Sequence, residues 1–478
     1  MARLLGIDIG TSGCKVILID EAGTILRQAS AEYPISVPQA GWTEQNPQDW
    51  WTGVESCLAE INEPAPDAIG VTGQMHGSVF LDAQGEVVRP ALLWNDQRTV
   101  LECEQIEQTV GSERLKELTC NPALTGFQLP KLLWLRNNEP QNFAQVRQVL
   151  LPKDYIRFKL TGAYATEVSD ASGTGIFDVK NRTWSEPVAL ALGISLDLFP
   201  QVFESDQITA PTTQQPSLNA GIPVVGGGGD QAAAAVGTGA VEPGIISVSL
   251  GTSGVVFTSI PSNEHDPSGA AHTFCHANRG WHAMGVMLSC GGALRWYRDT
   301  LGGGRTYDQI AASAASATTD SGMTFLPYLT GERCPHIDPA ARAGFAGFGL
   351  ESTQADFDRA VFEGLSFGLL GAFNLLKGLG ATATEIRVTS GGSKSDFWVQ
   401  MLADCFGAPC VRLSVDEGPA MGAAILAGVG IGIWPNVETA CKAVVKVAGS
   451  IAPGDTDYSA SFDRYSSLYP ALKAWNRA

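Results

Sequence analysis

Residues 4–20 read LLGIDIGTSGCKVILID, and residues 245–259 read IISVSLGTSGVVFTS. Each stretch is an apolar strand, a Gly-Thr-Ser-Gly turn and a second apolar strand, which predicts a β-hairpin. The first glycines of the two turns, Gly10 and Gly251, lie about half of the 478-residue chain apart. A recurrence at this spacing, with matching strands on both sides, indicates an internal duplication and two related domains.

The Gly-Thr-Ser-Gly turns suit the binding of phosphate. Such a turn exposes backbone N–H groups and two hydroxyls on one side, and glycine permits a close approach, so two facing turns would hold a polyphosphate. Two residues before the first glycine, the first copy has Asp8 and the second has Ser249. A single carboxylate beside phosphate oxygens suits Mg²⁺, so Asp8 is a candidate metal ligand. The alternative is a pair of ordinary hairpins, one with an aspartate at its edge.

The composition narrows the class of protein. Hydrophobic residues make up 44% of the chain and charged residues 17%, so large cores can form, in about three domains or two large ones. The 49 acidic and 31 basic residues disfavour a partner that is a nucleic acid or an anionic membrane. Ten scattered cysteines without a C-x-x-C pair predict a reducing compartment, and the N-terminal strand with Asp8 does not read as a signal peptide. These features predict a cytoplasmic protein.

The remaining pattern alternates between strands and helices, which predicts α/β domains with mixed sheets covered by helices. A domain boundary is expected near residues 240–244, just before the second hairpin. We predict helices at residues 44–61, from 231 onward, and at 353–379 and 397–406, and strands at 67–72, 221–225 and 385–389.

Two polar stretches follow predicted strands and are candidates for binding a small molecule. Gln74-Met75-His76-Gly77 follows the strand at 67–72, at the end where α/β sheets commonly bind ligands. Trp94, Asn95 and Asp96 stand in Trp94-Asn95-Asp96-Gln97-Arg98 after another apolar stretch. Apolar walls with mixed hydrogen-bonding groups suit a polyhydroxylated ligand. The alternative is a capped loop at each place.

Asp230 follows four consecutive glycines and precedes Gln231 and an alanine-rich helix. An aspartate there could simply cap the helix, but a cap does not need four glycines, which bring the backbone close to a ligand. We therefore favour Asp230 as a general base. A further strand-to-helix turn, Ser390-Gly391-Gly392-Ser393-Lys394-Ser395, lacks the Gly-Lys pair of a P-loop, yet its glycines could pack a flat nucleotide base or sugar. The alternative for it is a tight structural turn.

These features together resemble the FGGY carbohydrate kinases, and most closely the branch that phosphorylates D-xylulose. The Met75-His76 pair favours this branch over glycerol kinases, which have Arg-Glu there. The ordered motifs span nearly the whole chain and include GIDIGTSGCK, TGQMHG, LLWNDQR, LPKLLWLRNNEP, LLPKDYIRFKLTG, GGGGDQAAAAVGTG, SLGTSGVVF, GGSKSDFWVQMLAD and EGPAMGAAILA.

The resemblance implies an α/β fold of two actin-like, ribonuclease H-like domains, residues 1–242 for the sugar and base and 243–478 for the nucleotide, with ATP in the cleft. Gln128 and Arg295 depart from residues common in the family. A homodimer is also an expectation from the resemblance. The implied roles are Mg²⁺ binding by Asp8; sugar binding by Met75 and His76; catalysis by Asp230 with Gln231 beside it; and ATP binding by Thr11, Ser12, Thr252, Gly291, Gly391, Gly392 and Ser395.

The expected reaction is transfer of the γ-phosphate of ATP to the terminal primary hydroxyl of D-xylulose. One rival is a kinase of the same fold for D-ribulose, L-ribulose or glycerol, because pocket shape decides this choice. A rival from another class is an actin-like or Hsp70-like ATP switch that binds proteins. Such a switch would share the phosphate clamp, but it would need neither Met75-His76 nor a base at Asp230.

Overall fold

The computed structural model of the protein describes residues 2–317, 321–414 and 417–477. Within these residues, each half of the chain forms a mixed seven-stranded sheet. The strands of the first sheet are β1 Leu4–Ile9, β2 Gly13–Ile19, β3 Ile25–Glu32, β4 Ala68–Gly73, β5 Ile208–Pro211, β6 Pro223–Val225 and β7 Gly228–Gly229. They lie in the order β5-β6-β4-β1-β2-β3, and β7 also pairs with β4.

The second sheet repeats the central arrangement of the first. Its strands are β8 Ile245–Leu250, β9 Gly254–Ile260, β10 His272–Cys275, β11 Trp281–Met287, β12 Glu385–Thr389, β13 Cys410–Leu413 and β14 Val447–Ile451. They lie in the order β10-β11-β9-β8-β12-β13-β14. In both sheets a hairpin with a Gly-Thr-Ser-Gly turn has its first strand paired in parallel with a later strand, β1 with β4 and β8 with β12.

Short two-stranded ribbons and helices surround these sheets. The ribbons pair Glu44–Gln45 with Ala91–Leu92, Val79–Leu81 with Gln148–Leu150, Ala165–Glu167 with Gln201–Phe203, Phe177–Asp178 with Thr183–Trp184, and Thr324–Leu326 with Gly344–Ala346. The helices of eight or more residues are α1 Pro47–Ile61, α2 Val100–Val110, α3 Ser112–Thr119, α4 Gln128–Asn138, α5 Pro152–Thr161, α6 Asp230–Thr238, α7 Gly291–Thr300, α8 Tyr307–Ser316, α9 Gln354–Gly378, α10 Asp396–Phe406, α11 Gly418–Gly430, α12 Val437–Val444 and α13 Ser459–Lys473.

Local sequence signals account for where several helices begin. Asn46 accepts a hydrogen bond from the backbone N–H of Gln48, and Pro47 follows at the first helical position of α1, where its missing N–H costs nothing. Thr353 begins α9 with a reciprocal capping box to Asp356. The predicted helices and strands are thus present, with ends shifted by a few residues.

The helix α9 is long and apolar enough to cross a membrane, alone among the described residues. However, 78% of its most apolar window is buried. Its side chains Phe362, Leu365, Leu369 and Phe373 belong to the main core of the second sheet. Packing within the protein therefore accounts for its apolar character.

The packing units do not follow the two halves of the chain strictly. Helix α11, from the second half, lies directly on the first sheet. A Cβ on Gly6 would lie 2.0 Å from the carbonyl oxygen of Ala420, and one on Gly70 would lie 1.9 Å from that of Ala423. These glycines let the backbones of sheet and helix touch. Helix α11 therefore connects the two halves of the chain by packing. The division into domains between residues 242 and 243 stays a prediction.

Candidate active site

Three parallel strand ends bring the two candidate acids to one edge of the first sheet. Asp8 on β1 is in register with Thr72 on β4, and Thr72 is in register with Gly228 on β7. Two strand spacings separate the Cα atoms of Asp8 and Gly228, about 10 Å. Asp230 follows two residues later. Residues 222 positions apart in the chain therefore share one side of the cleft.

The Asp8 carboxyl group is in a desolvated, negatively charged position. Burial and the nearby Asp230 raise its pKa from 3.8 to about 7, against an opposing effect of Lys15. Among the described residues, its Oδ1 atom is buried without a hydrogen-bond partner, and so is Oγ1 of the neighbouring Thr72. A hard cation favours carboxylate and hydroxyl oxygens. The site therefore fits Mg²⁺, which would hold Asp8 ionised.

Asp230 stands at the first position of helix α6, where Gly229 occupies the N-cap. Its side chain is therefore not the capping group of this helix. Burial raises the pKa of Asp230 to about 6, while hydrogen bonds from Gln231 oppose the shift. A carboxylate with this pKa is ionised at neutral pH and accepts a proton more readily than an ordinary aspartate.

The first Gly-Thr-Ser-Gly turn is fixed by neighbouring side chains. Its backbone closes with the N–H of Gly10 donating to the carbonyl of Gly13 (3.0 Å), and Tyr33 donates to the carbonyl of Gly10 (2.6 Å). The indole N–H of Trp94 donates to the hydroxyl of Thr11 at 3.0 Å. Trp94, a predicted sugar-binding residue, thus contacts Thr11, a predicted phosphate-binding residue. Ser12 is exposed at the tip.

Met75 packs against the loop that carries Asp230, and His76 follows Met75 in the chain. A Cβ on Gly229 would lie 3.0 Å from the sulfur of Met75. His76 has a left-handed backbone with φ of 67°, and the ammonium of buried Lys131 donates to its carbonyl at 2.9 Å. The structure thus places Met75 against the loop that carries Asp230, with His76 beside Met75.

The imidazole of His76 is neutral and has a defined tautomer. Burial lowers its pKa from 6.5 to about 3. Its Nδ1 lies 2.7 Å from the carbonyl oxygen of Gly173, which can only accept, so Nδ1 carries the proton. Nε2 is therefore left as an acceptor for a hydroxyl group.

The structure does not place Asp96 as a sugar ligand. Its carboxylate is fully buried, accepts the backbone N–H of Thr43 (2.7 Å) and pairs with the guanidinium of Arg98 (2.8 Å). With further bonds from the Arg98 backbone and Nε, its lone pairs are engaged. Asp96 therefore supports the loop that presents Trp94 and Asn95. Asn95, in contrast, has a buried Oδ1 without a hydrogen-bond partner among the described residues.

A cavity of about 490 Å³ lies beside the second Gly-Thr-Ser-Gly turn. This size is within the usual range for small-molecule sites. Apolar walls come from Leu250, Phe362 and Trp398, which suit a nucleotide base. All predicted nucleotide residues of the second half line it, namely Thr252, Gly291, Gly391, Gly392 and Ser395, and Arg295 lines it too.

Gln128 acts in local packing. Its buried amide donates to the carbonyl of Gly77 (3.3 Å) and to that of Leu150 (3.1 Å). The first of these bonds holds the segment just after His76. This departure from the family pattern thus leaves the polar groups of the cleft in place.

Sequence reasoning missed Arg333. The guanidinium lies close enough to His76 and His272 to lower the pKa of both, and desolvation lowers its own pKa. Its neighbour Glu332 anchors the segment by accepting the backbone N–H of Leu288 (2.8 Å), beyond the end of β11. Arg333 forms no ion pair with the residues that the structure describes. The available signal was a Glu-Arg pair inside an otherwise apolar stretch.

Comparison with known proteins covers the full chain. Residues 3–237 match the N-terminal domain, and residues 246–431 the C-terminal domain, of the FGGY family of carbohydrate kinases. The chain is 37% identical to a xylulose kinase from Escherichia coli (strain K12), over 99% of this chain and 98% of the relative.

Solved structures with the same fold carry more than one activity in their names. The crystal structure of a xyloylose kinase from Brucella ovis matches with a TM-score of 0.93 and 36% identity, over 99% of this chain and 100% of the other. A gluconate kinase from Lactobacillus acidophilus matches with a TM-score of 0.93 and 25% identity, over 99% and 98%. These likenesses confirm the predicted fold of two actin-like domains with a cleft between them.

Proposed function

Because the chain belongs to the FGGY family of carbohydrate kinases, we propose that it phosphorylates D-xylulose. The γ-phosphate of ATP would pass to the terminal primary hydroxyl, giving D-xylulose 5-phosphate and ADP. The observation that carries this proposal is the meeting of Asp8 and Asp230 beside Met75 and His76. The names of the relatives support the choice of sugar.

In this mechanism Asp230 accepts the proton of the attacking hydroxyl. Phosphoryl transfer passes through a loose transition state, so the proton leaves late and a base with a pKa of about 6 suffices. Nε2 of His76 accepts a hydrogen bond from a second sugar hydroxyl, and Met75 excludes water from the same wall. Positioning of the hydroxyl against the phosphate is then the main contribution of this half of the cleft.

The Gly-Thr-Ser-Gly turns act on the phosphate side. Thr11 and Ser12 of the first turn and Thr252 of the second offer N–H groups and hydroxyls to the phosphate oxygens. When bound by Asp8, Mg²⁺ would neutralise charge on the phosphates. Gly391, Gly392 and Ser395 hold the adenosine, together with Gly291.

A panel of acceptors tests the substrate. Release of ADP is measured with D-xylulose, D-ribulose, L-ribulose, glycerol and D-gluconate, the last because a gluconate kinase shares the fold. We expect kcat/KM to be highest for D-xylulose. A higher value for another acceptor would replace the sugar but keep the kinase, whereas ATP turnover that no acceptor stimulates would favour an ATP switch.

The same assay with Asp230→Ala tests the base. We expect sugar phosphorylation to be lost while ATP binding remains. Equal loss of both would indicate a structural role for Asp230. The homodimer and the cytoplasmic location stay predictions.

A further inference from the structure

The glycine loop that carries Asp230 rests on a buried cluster of charged side chains. Five charged residues lie in one place in the first domain, each at most 1% exposed. We call them the buried charge cluster: Lys153, Asp154, Arg157, Glu167 and Asp170.

The buried charge cluster holds the backbone of the loop at successive residues. Arg157 donates to the carbonyl oxygen of Gly226. Ser205, whose hydroxyl donates to Glu167 (2.7 Å), accepts the backbone N–H of Gly227 at its own carbonyl (2.8 Å). The backbone N–H of Gly229, directly before Asp230, donates to the hydroxyl of Ser169 (3.1 Å). The loop is therefore fixed from behind over its whole length.

The orientation of the Ser169 hydroxyl is determined by Glu167. This carboxylate accepts the hydroxyl of Ser169 (2.9 Å), the backbone N–H groups of Ser169 and Asp170, and the hydroxyl of Ser205. Since the Ser169 proton points to Glu167, a lone pair of its oxygen faces the N–H of Gly229.

The charged groups of the cluster pair with one another away from solvent. Lys153 lies 2.6 Å from Asp154, 3.5 Å from Glu167 and 3.4 Å from Asp170, and Arg157 lies 2.6 Å from Asp154. Burial raises the pKa of Asp170 well above its ordinary value, and neither of its oxygens has a hydrogen-bond partner among the described residues. Two cationic and three carboxyl side chains thus lie together away from solvent.

A buried ionic cluster adds little net stability, because desolvation of the charges offsets their attraction. Its geometry, in contrast, is rigid, because four of the five charged groups, all except Asp170, are held by several partners at once. Glycine loops lack this rigidity, and phosphoryl transfer depends strongly on the position of the base.

We propose that the buried charge cluster is a positioning device for Asp230, and that Ser169 is the residue through which it acts. This inference rests on the proposed function, in which Asp230 accepts the proton. Ser169 itself touches neither sugar nor nucleotide and is a positioning residue.

The test compares two buried serines of the same segment. Ser169 and Ser172 are both fully buried, and each hydroxyl donates one hydrogen bond and accepts one backbone N–H. Ser169 accepts that of Gly229, but Ser172 accepts that of Cys275, in strand β10. Ser169→Ala and Ser172→Ala therefore each remove one donated and one accepted bond, and only the bond that Ser169 accepts reaches the loop.

We expect Ser169→Ala to lower kcat tenfold or more, with KM for ATP and for the sugar within twofold of the wild type. Ser172→Ala should keep kcat within twofold. Both variants should lower the midpoint of thermal unfolding, Ser169→Ala by at least as much as Ser172→Ala, because the Ser169 hydroxyl donates to a carboxylate. Ser169→Cys, which keeps a weak acceptor, should recover part of the lost kcat.

Unchanged kcat in Ser169→Ala, or an equal loss in Ser172→Ala, would overturn the inference. If Ser169→Ala does not fold, the pair Ser169→Cys and Ser172→Cys gives the same comparison with a smaller expected loss. Asp230→Ala is measured alongside. An active Asp230→Ala would refute the proposed base, whereas an inactive Asp230→Ala with a normal Ser169→Ala would refute the positioning device alone.

Discussion

Replacement of Asp230 by asparagine tests the central chemistry most directly. Asp230→Asn keeps the shape of the side chain and removes the proton acceptor. A general base contributes typically about 10²–10⁴-fold to a rate, so we expect kcat to fall by that factor, which corresponds to about 3–5 kcal/mol. KM for the sugar should change little, because Met75 and His76 keep their positions.

The pH profile of the wild-type enzyme gives the matching expectation. With a pKa of about 6, Asp230 is about 97% ionised at pH 7.5 and about 9% ionised at pH 5. Since the ionised form is the base, kcat should fall about tenfold between these pH values. In Asp230→Asn the residual rate should lack this acid limb.

Asp230→Asn should also change the dependence of ATP binding on Mg²⁺. Asp230 raises the pKa of Asp8, so its removal lowers that pKa and leaves Asp8 more fully ionised. The concentration of Mg²⁺ for half-maximal ATP binding in Asp230→Asn should therefore be equal to or lower than that of the wild type. Calorimetry of ATP binding at several Mg²⁺ concentrations measures this.

Two results would refute the reasoning. A kcat above a tenth of the wild-type value would show that Asp230 is not the proton acceptor. Weaker Mg²⁺-dependent ATP binding would show that the negative charge of Asp230 attracts the metal more than it disfavours the ionisation of Asp8.

Further predictions concern the nucleotide cavity, the cleft and stability. Gly392→Ala should raise KM for ATP at least tenfold and leave KM for the sugar unchanged, because the Cβ of the new alanine would lie 2.6 Å from Trp398. An unchanged KM for ATP would contradict the assignment of this cavity to the nucleotide. Arg333→Met should raise KM for the sugar more than KM for ATP, and equal changes would remove Arg333 from the sugar side. Burial lowers the pKa of His276 from 6.5 to about 3, so its stabilising effect is complete above pH 6.5 and is lost as the pH falls toward 3. The free energy of unfolding, measured with urea, should therefore fall between pH 7 and pH 5 by about 2 kcal/mol less in His276→Gln than in the wild type. An equal fall in both proteins would show that His276 is not held neutral.

Local sequence alone was sufficient for the features that depend on neighbouring residues. The two apolar stretches within residues 4–20 predicted the strands of the hairpin, and the Gly-Thr-Ser-Gly sequence between them predicted the turn. Asn46-Pro47 predicted the start of α1. Asp8, Asp230 and the glycines near 391 were singled out because short motifs place them near the end of a strand or directly after it.

The tertiary structure decided what depends on contacts between distant residues. Register across β1, β4 and β7 brings Asp8 to Asp230, and no local pattern encodes that register. Asp96 is a residue type that commonly binds a ligand, yet its carboxylate pairs with Arg98 and accepts the backbone N–H of Thr43. A buried charge requires such partners, and the fold supplies them. The buried charge cluster depends on packing in the same way, since only the fold brings the three charges of helix α5 against Glu167 and Asp170.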